Sequence, residues 1–200
     1  MSTQEPLGTQ ERLVRSTQEL LWERGYVGTS PKAILERAGV GQGSMYHHFS
    51  GKSELALAAI RRTAEELKQG AESCLGGPGS AYDRIAAYLL RERRVLRGCP
   101  IGRMTQDRDV VRSAELRQPL DELFGWLRGR ITEVLAEGQR RGELAAELDP
   151  AAGAAAVAAV VQGGYVLARA ADDPAPFDAA VQGVLALLAA QCTPGTRTTD

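Results

Sequence analysis

The sequence predicts an all-α protein, on three observations. Apolar residues recur at three- and four-residue intervals from Leu13 to Leu188, and no stretch alternates apolar with polar residues. Glycine and proline fall between these stretches, at Gly25, Gly39, Gly76-Gly77-Pro78-Gly79, Gly98, Pro100, Gly142 and Pro174, where helices stop or start. Gly39 to Lys52 reads as a tight turn, a short helix with a polar exposed face, and a basic stop, which is the second half of a helix-turn-helix.

Leu13, Ser16, Thr17, Leu20, Leu21 and Arg24 form an amphipathic first helix that stops at Gly25, with Thr9 as the expected N-cap. The second helix spans Pro31 to Ala38, with Ser30 as N-cap and Pro31 at the first helical position, where a missing N–H costs nothing. Gly39 supplies the left-handed residue of the turn, Val40 is expected beneath it, and the third helix runs from Gln42 to His48. The fourth starts near Gly51, carries Leu55, Ala58, Ala59, Thr63 and Leu67 on one face, and ends at Gly76-Gly77-Pro78-Gly79, expected to mark a domain boundary. Further helices are expected at 81–96, 101–108, 115–141, 150–171 and 174–190. The organisation expected is a helix-turn-helix domain over 9–52 and a larger helical domain over 53–192, with disordered tails at 1–8 and 193–200.

With 44% hydrophobic and 24% charged residues among 200, the chain can bury a sizeable core. A formal charge of −1 gives no global signature of nucleic-acid binding, so that reading rests on local placement. Between Arg37 and Ser53 there are Arg37, Lys52 and two histidines, and no acid. Cys74, Cys99 and Cys192 are odd in number and in no metal-ligand spacing, and no apolar targeting segment precedes Glu11, so a reducing cytoplasm is the simpler reading. The longest apolar run, Ala154 to Val161, is too short to span a bilayer. No nucleophile elbow, phosphate-binding glycine loop or dinucleotide fingerprint is present, so neither an enzyme nor a cofactor is expected.

Gly25-Tyr26, Thr29-Ser30, Ile34, Ala38-Gly39-Val40, Gly43-Ser44, Tyr46, His48-Phe49, Lys52 and Leu55 reproduce, with matching spacing, the pattern of TetR-type repressors, and the chain resembles a TetR family transcriptional regulator. It departs from that pattern at Ala33, where an acidic residue is usual, and at Leu35, where a small one is. The resemblance implies that Tyr46 contacts a DNA phosphate; the alternative is a core tyrosine with its hydroxyl at the surface. His47 and His48 are adjacent and diverge, so His48 is expected on phosphate and His47 near bases or backbone, and a metal site here is not expected. Lys52, at the start of the fourth helix, can share a phosphate with the helix N-terminus, or be simply solvated. Thr9 and Thr29 are capping hydroxyls that can clamp the backbone of the other strand or simply cap their helices, and Gln42, Ser44 and Lys32 are the candidates for reading bases, Gly41 and Gly43 permitting close approach.

The last two long helices are apolar over much of their circumference and need cover from their own domain or from a second copy, which points to a homodimer reading a pseudopalindromic operator. TetR-like proteins use the second domain to bind an inducer, which implies a small apolar, aromatic molecule held by Tyr88, Cys99, Arg103, Met104, Phe124, Trp126, Gln162 and Tyr165. Gln162 or Tyr165 is the expected polar anchor, with Gly98 to Gly102 as rim. Two alternatives stay open: a redox-responsive regulator using Cys99, and an all-helical adaptor in which the helix-turn-helix only packs.

Overall fold

The computed structural model describes residues 8–193, and the expectations for 1–7 and 194–200 lie outside them. Among the described residues ten α-helices follow one another: α1 (Thr9–Arg24), α2 (Pro31–Ala38), α3 (Gln42–His48), α4 (Lys52–Leu75), α5 (Ala81–Leu90), α6 (Pro100–Met104), α7 (Arg108–Arg112), α8 (Ala114–Arg140), α9 (Pro150–Ala171) and α10 (Ala175–Ala189), with a 3₁₀ turn at Val95–Arg97. Among the described residues the one β-type pairing is an isolated bridge between Leu144 and Cys192.

The local stop and start signals act as expected around the turn. Ser30 Oγ accepts from Ala33 N at 3.2 Å, and Gly39 is left-handed at φ 61, ψ 40. Val40 beneath it is half-buried. Thr9 is not a cap: Gly8 occupies that position, without a side-chain bond, and Thr9 is already helical. Two expected helices are broken. The helix expected over 81–96 ends at Leu90, because Arg91 turns extended and Arg93 folds back to donate to the carbonyls of Tyr88, Leu89 and Arg91. The one expected over 101–108 ends at Met104, because the Asp107 carboxylate accepts from Asp109 N at 3.1 Å and caps a new helix, α7. Thr193, expected in a disordered tail, donates its N–H to Glu143 O at 3.0 Å.

Two compact units form, one from residues up to Glu65 with Pro100–Asp121, the other from Glu66–Cys99 and Glu122 onward. This division differs from a boundary at 52 or at the Gly76–Gly79 break. The first three turns of α4 carry Leu55, Ala56, Ala59 and Ile60, each at most 1% exposed, and α6 packs on α1, so both belong to the first unit. Leu13, Leu20, Ile34, Met45, Ile101, Met104, Val110 and Leu116 complete its core.

In the second unit Leu75, Ile85, Leu89, Ile131, Val134, Leu135, Val157, Val161, Phe177, Val181 and Leu185 close a core between the end of α4 and α5, α8, α9 and α10. Arg84 is buried with its charge answered: Nε donates to Leu75 O at 2.6 Å, and the guanidinium pairs with Glu137 at 2.8 Å. A Cβ at Gly164 would come within 2.8 Å of Phe177, so α9 and α10 touch at a position where only glycine fits. Helix α9, 22 residues long, is long and apolar enough by length and composition to cross a membrane, with a mean hydropathy of 1.6 over its most apolar stretch. The uninterrupted run Ala154–Val161 understates this, since Gln162 and the glycines beyond it interrupt the run without adding charge. Ala154, Val157, Val161, Gly164 and Ala168 turn one face of α9 into the core.

Candidate functional site

Helix α3 is seven residues long and buries one of them, Met45; Phe49, just beyond its end, is the second anchor. Two apolar side chains thus fix the helix and leave the rest of its circumference outside. Gln42, Gly43, Tyr46 and His47 are exposed, and Ser44 and His48 half-buried. Gln42 and Tyr46 are four residues apart and share a face, as do Ser44 and His48. The His47 and His48 rings still meet edge to face, with centroids 5.0 Å apart. A Cβ on Gly41 or Gly43 would meet nothing within 4 Å, so no internal packing requires either glycine.

The neighbouring elements set the orientation of α3. Arg12, on α1, donates to the carbonyls of Ala38 and Gly39, the latter at 2.7 Å, and so ties α1 to the turn. Nothing in the sequence singles it out, because a surface arginine on a helix has many other uses. Lys52, first residue of α4, is half-buried with its ammonium 4.0 Å above the Tyr26 ring, a cation–π contact. Burial lowers its pKa, partly offset by Asp107 and Asp109. Asp107 also accepts from Val27 N at 3.0 Å, in the loop between α1 and α2. Glu54 accepts from both Ser50 N and Oγ at 2.7 Å, and those bonds hold its carboxyl below the usual range.

Lys32 is exposed, 3.9 Å from Glu36, and Thr9 is half-buried. Thr29 is withdrawn from the surface, a correction to its expected role: it is 1% exposed and its hydroxyl donates to Gly25 O at 2.7 Å, so it serves the loop and reaches no phosphate.

Of the eight expected effector residues, Arg103 and Met104 pack in the first unit, Met104 at 1% exposure, because α6 joins α1 there; this corrects their grouping with the other six. Tyr88, Cys99, Phe124, Trp126, Gln162 and Tyr165 belong to the second unit. Tyr88 is buried, and the other five are half-buried, with Trp126 against the core. Tyr165 packs on Phe177 with ring centroids 4.9 Å apart.

Arg91 and Arg93, missed by sequence reading, lie 5.0 and 5.3 Å from the Tyr88 ring, and Arg93 is 5.8 Å from the Phe177 ring. Burial pushes the Tyr165 phenol up to about 12 against the pull of Arg93, and pushes the Tyr88 phenol up as well, while it lowers Arg93. Both phenols therefore stay protonated at neutral pH and act as donors. Beside this group a cavity of about 300 Å³ is lined by Leu89, Arg91, Arg93, Val95, Phe177 and Val181, among others. The signal that could have found the arginines is the Arg91-Glu92-Arg93-Arg94 run after a helix, which reads by itself as a solvated charge cluster.

Comparison with known proteins assigns this architecture. Residues 13–59 match the family model described as bacterial regulatory proteins, tetR family, and residues 81–184 match the one described as tetracyclin repressor-like, C-terminal domain. An uncharacterised HTH-type transcriptional regulator of Lactococcus lactis subsp. lactis is 28% identical, over 82% of this chain and 85% of that one. The crystal structure of a TetR transcriptional regulator from Chloroflexus aurantiacus superposes with a TM-score of 0.85 at 28% identity, covering 92% of this chain and 96% of that one. At 23% identity, and so for the fold alone, the TetR family regulator CifR, solved as a cysteine mutant with 26-base-pair operator DNA, superposes with a TM-score of 0.75 over 94% of this chain and 100% of that one. An adaptor whose helix-turn-helix only packs is set aside by these matches. Recognised over both its head and its helical body, the chain belongs to the TetR family of bacterial transcriptional regulators, DNA-binding proteins that are not enzymes.

Proposed function

We propose that this regulator is a repressor that binds a pseudopalindromic operator as a homodimer and leaves it when a small molecule occupies the second unit. The observation that carries the DNA reading is α3 itself: Met45 within it and Phe49 just beyond it hold it, and its outer face carries Gln42, Tyr46 and His47 beside two glycines that the chain's own packing does not need. A helix so exposed is shaped for a groove. Gln42 and Ser44, with Lys32, are assigned to base edges, and Tyr46, His48, Lys52 and Thr9 to phosphates, with His47 between the two. The operator complex of CifR, a fold relative, supports this use of the head. The dimer reading is supported by Val166, Leu167 and Leu187 on α9 and α10, exposed at 56%, 55% and 72%. A cytoplasmic location follows from this work on DNA.

For the effector, Phe177 gives the cavity an aromatic wall, with Tyr165 packed on that ring, which supports a ligand with an apolar, aromatic-compatible body. Phe124, Trp126 and Gln162 remain candidates on α8 and α9. The DNA assignment is tested by fluorescence anisotropy with operator and nonspecific duplexes across a salt series. Tyr46→Phe and Lys52→Ala are expected to weaken both, and Lys52→Ala to reduce the salt slope by about one for each phosphate it no longer neutralises, with little change in melting temperature. Unchanged affinity in both variants would show that this face does not meet the backbone.

A further inference from the structure

A guanidinium withdrawn from water costs several kcal/mol unless acceptors or counter-charges replace its hydration. At the C-terminal end of α5 two are half-buried together, Arg91 and Arg93, and neither forms an ion pair with a carboxylate among the described residues. The carbonyls of Tyr88, Leu89 and Arg91 accept from the terminal nitrogens of Arg93 at 2.6–2.9 Å, which explains part of its placement as a helix cap. They leave Nε of Arg91 and Nε of Arg93 buried without an acceptor. Arg91 also has a place made for it: a Cβ at Gly70 of α4 would stand 3.0 Å from its terminal nitrogen. The polar groups that share this surrounding are the phenols of Tyr88 and Tyr165 and the thiol of Cys99, and the two phenols are held protonated by burial. The half-buried and buried members of the set therefore offer N–H and O–H donors and two positive charges, while the acids of the adjoining cavity, Glu92 and Asp178, are exposed and pair with neither arginine. An acceptor carrying negative charge is what such a set lacks.

We propose that the effector is a small organic monocarboxylate, its carboxylate received by Arg91 and Arg93 with Tyr165 as a further donor, and its apolar body lying in the cavity against Phe177 and Val181. The cavity of about 300 Å³ suits a compact ligand. Glu92 and Asp178 line the same cavity from exposed positions and disfavour a second negative charge on the ligand. The inference rests on the ligand-responsive reading above and replaces a purely apolar inducer with an anionic one.

Titration calorimetry of the full chain at constant ionic strength tests it, using carboxylates paired with their amides: phenylacetate with phenylacetamide, and butyrate through octanoate with the corresponding amides. At least one acid is expected to bind about tenfold or more tightly than its amide and to release operator. Arg91→Gln is expected to lower the acid's affinity about tenfold, to that of its amide, and so erase the preference, and Arg91→Lys to keep part of it. Circular dichroism melts establish that each variant is folded. Amides binding as tightly as acids, an Arg91→Gln protein that keeps the preference, or no acid binding at millimolar concentration would each overturn the anion site. Operator release by amides would leave the ligand-responsive reading standing, whereas operator binding that neither the probes nor a cell extract weakens would remove that reading too.

Discussion

Arg12 reaches from α1 to the carbonyls of Ala38 and Gly39, two groups that the end of α2 leaves without helical partners. Its charge sits where a helix C-terminus favours a cation, and its reach fixes the angle at which the turn delivers α3. Arg12→Ala is expected to cost about 1–2 kcal/mol of stability, the lower range for a charge-assisted hydrogen bond at a partly exposed site. Urea unfolding measures this, and operator affinity should fall by more than the stability loss explains, because the turn is then free to move. An affinity that stays at the parent value would show that the turn is rigid without Arg12. Tyr46, Gln42 and Gly39 are legible in the sequence because each acts within a few residues of its own position. Arg12 acts across 26 residues, and the burial of Thr29 depends on where α1 ends, so neither role can be read locally.

Two glycines separate packing from function at the scale of the helix. Gly164 on α9 faces Phe177 so closely that a Cβ would stand 2.8 Å from the ring, and Gly164→Ala must push that ring or the helix pair apart. The expected loss is about 1–3 kcal/mol, read as a lower midpoint in thermal unfolding. Gly43 on α3 meets nothing, and Gly43→Ala should raise helix stability by up to about 1 kcal/mol. The same substitution should weaken operator binding if α3 lies against DNA, since the methyl then occupies the space between helix and groove. Stabilisation without any loss of affinity would place the binding face elsewhere. Helix starts and stops are readable where a glycine, proline or capping hydroxyl sits in line. They are not readable at Leu90 and Met104, where the breaks come from Arg93 folding back and from Asp107 capping a new helix.

For the whole molecule, acid sensitivity and assembly give two further expectations. The Arg84 hydrogen bond holds the Glu137 carboxyl below the ordinary range, and Arg130 does the same for Glu72. A depressed carboxylate pKa stabilises the fold above the unfolded value, about 4.3, and that contribution is lost as pH falls through the lower folded value. Urea midpoints measured from pH 7 downward should therefore drop below about pH 4, and Glu137→Gln should lower the neutral-pH midpoint and flatten the acid limb. An identical pH profile in the variant would show that the pair contributes nothing. Leu167→Glu with Leu187→Glu should convert a dimer to monomer in sedimentation velocity at micromolar concentration, leaving helical content intact and reducing operator affinity at least about tenfold through loss of the paired half-site. A double variant that sediments like the parent would move the interface off α9 and α10.

What the sequence determined by itself is whatever depends on nearest neighbours and on period: the all-α class, the Ser30 cap, the left-handed Gly39, the bounds of α2 and α3, and the family pattern those residues carry. Helical period and capping are short-range, so a short window of chain holds the whole signal. Tertiary structure alone decided which helices share a core, which moved residues 53–65 and 100–121 into the first unit, and which side chains converge from separate elements. Arg91 and Arg93 gather with Tyr88, Tyr165, Cys99 and Phe177 only because α5 stops at Leu90, with Arg93 bonding back to its end, and because α10 returns Phe177 to α9. A burial cost and an unanswered charge are properties of that convergence, and no local pattern encodes them.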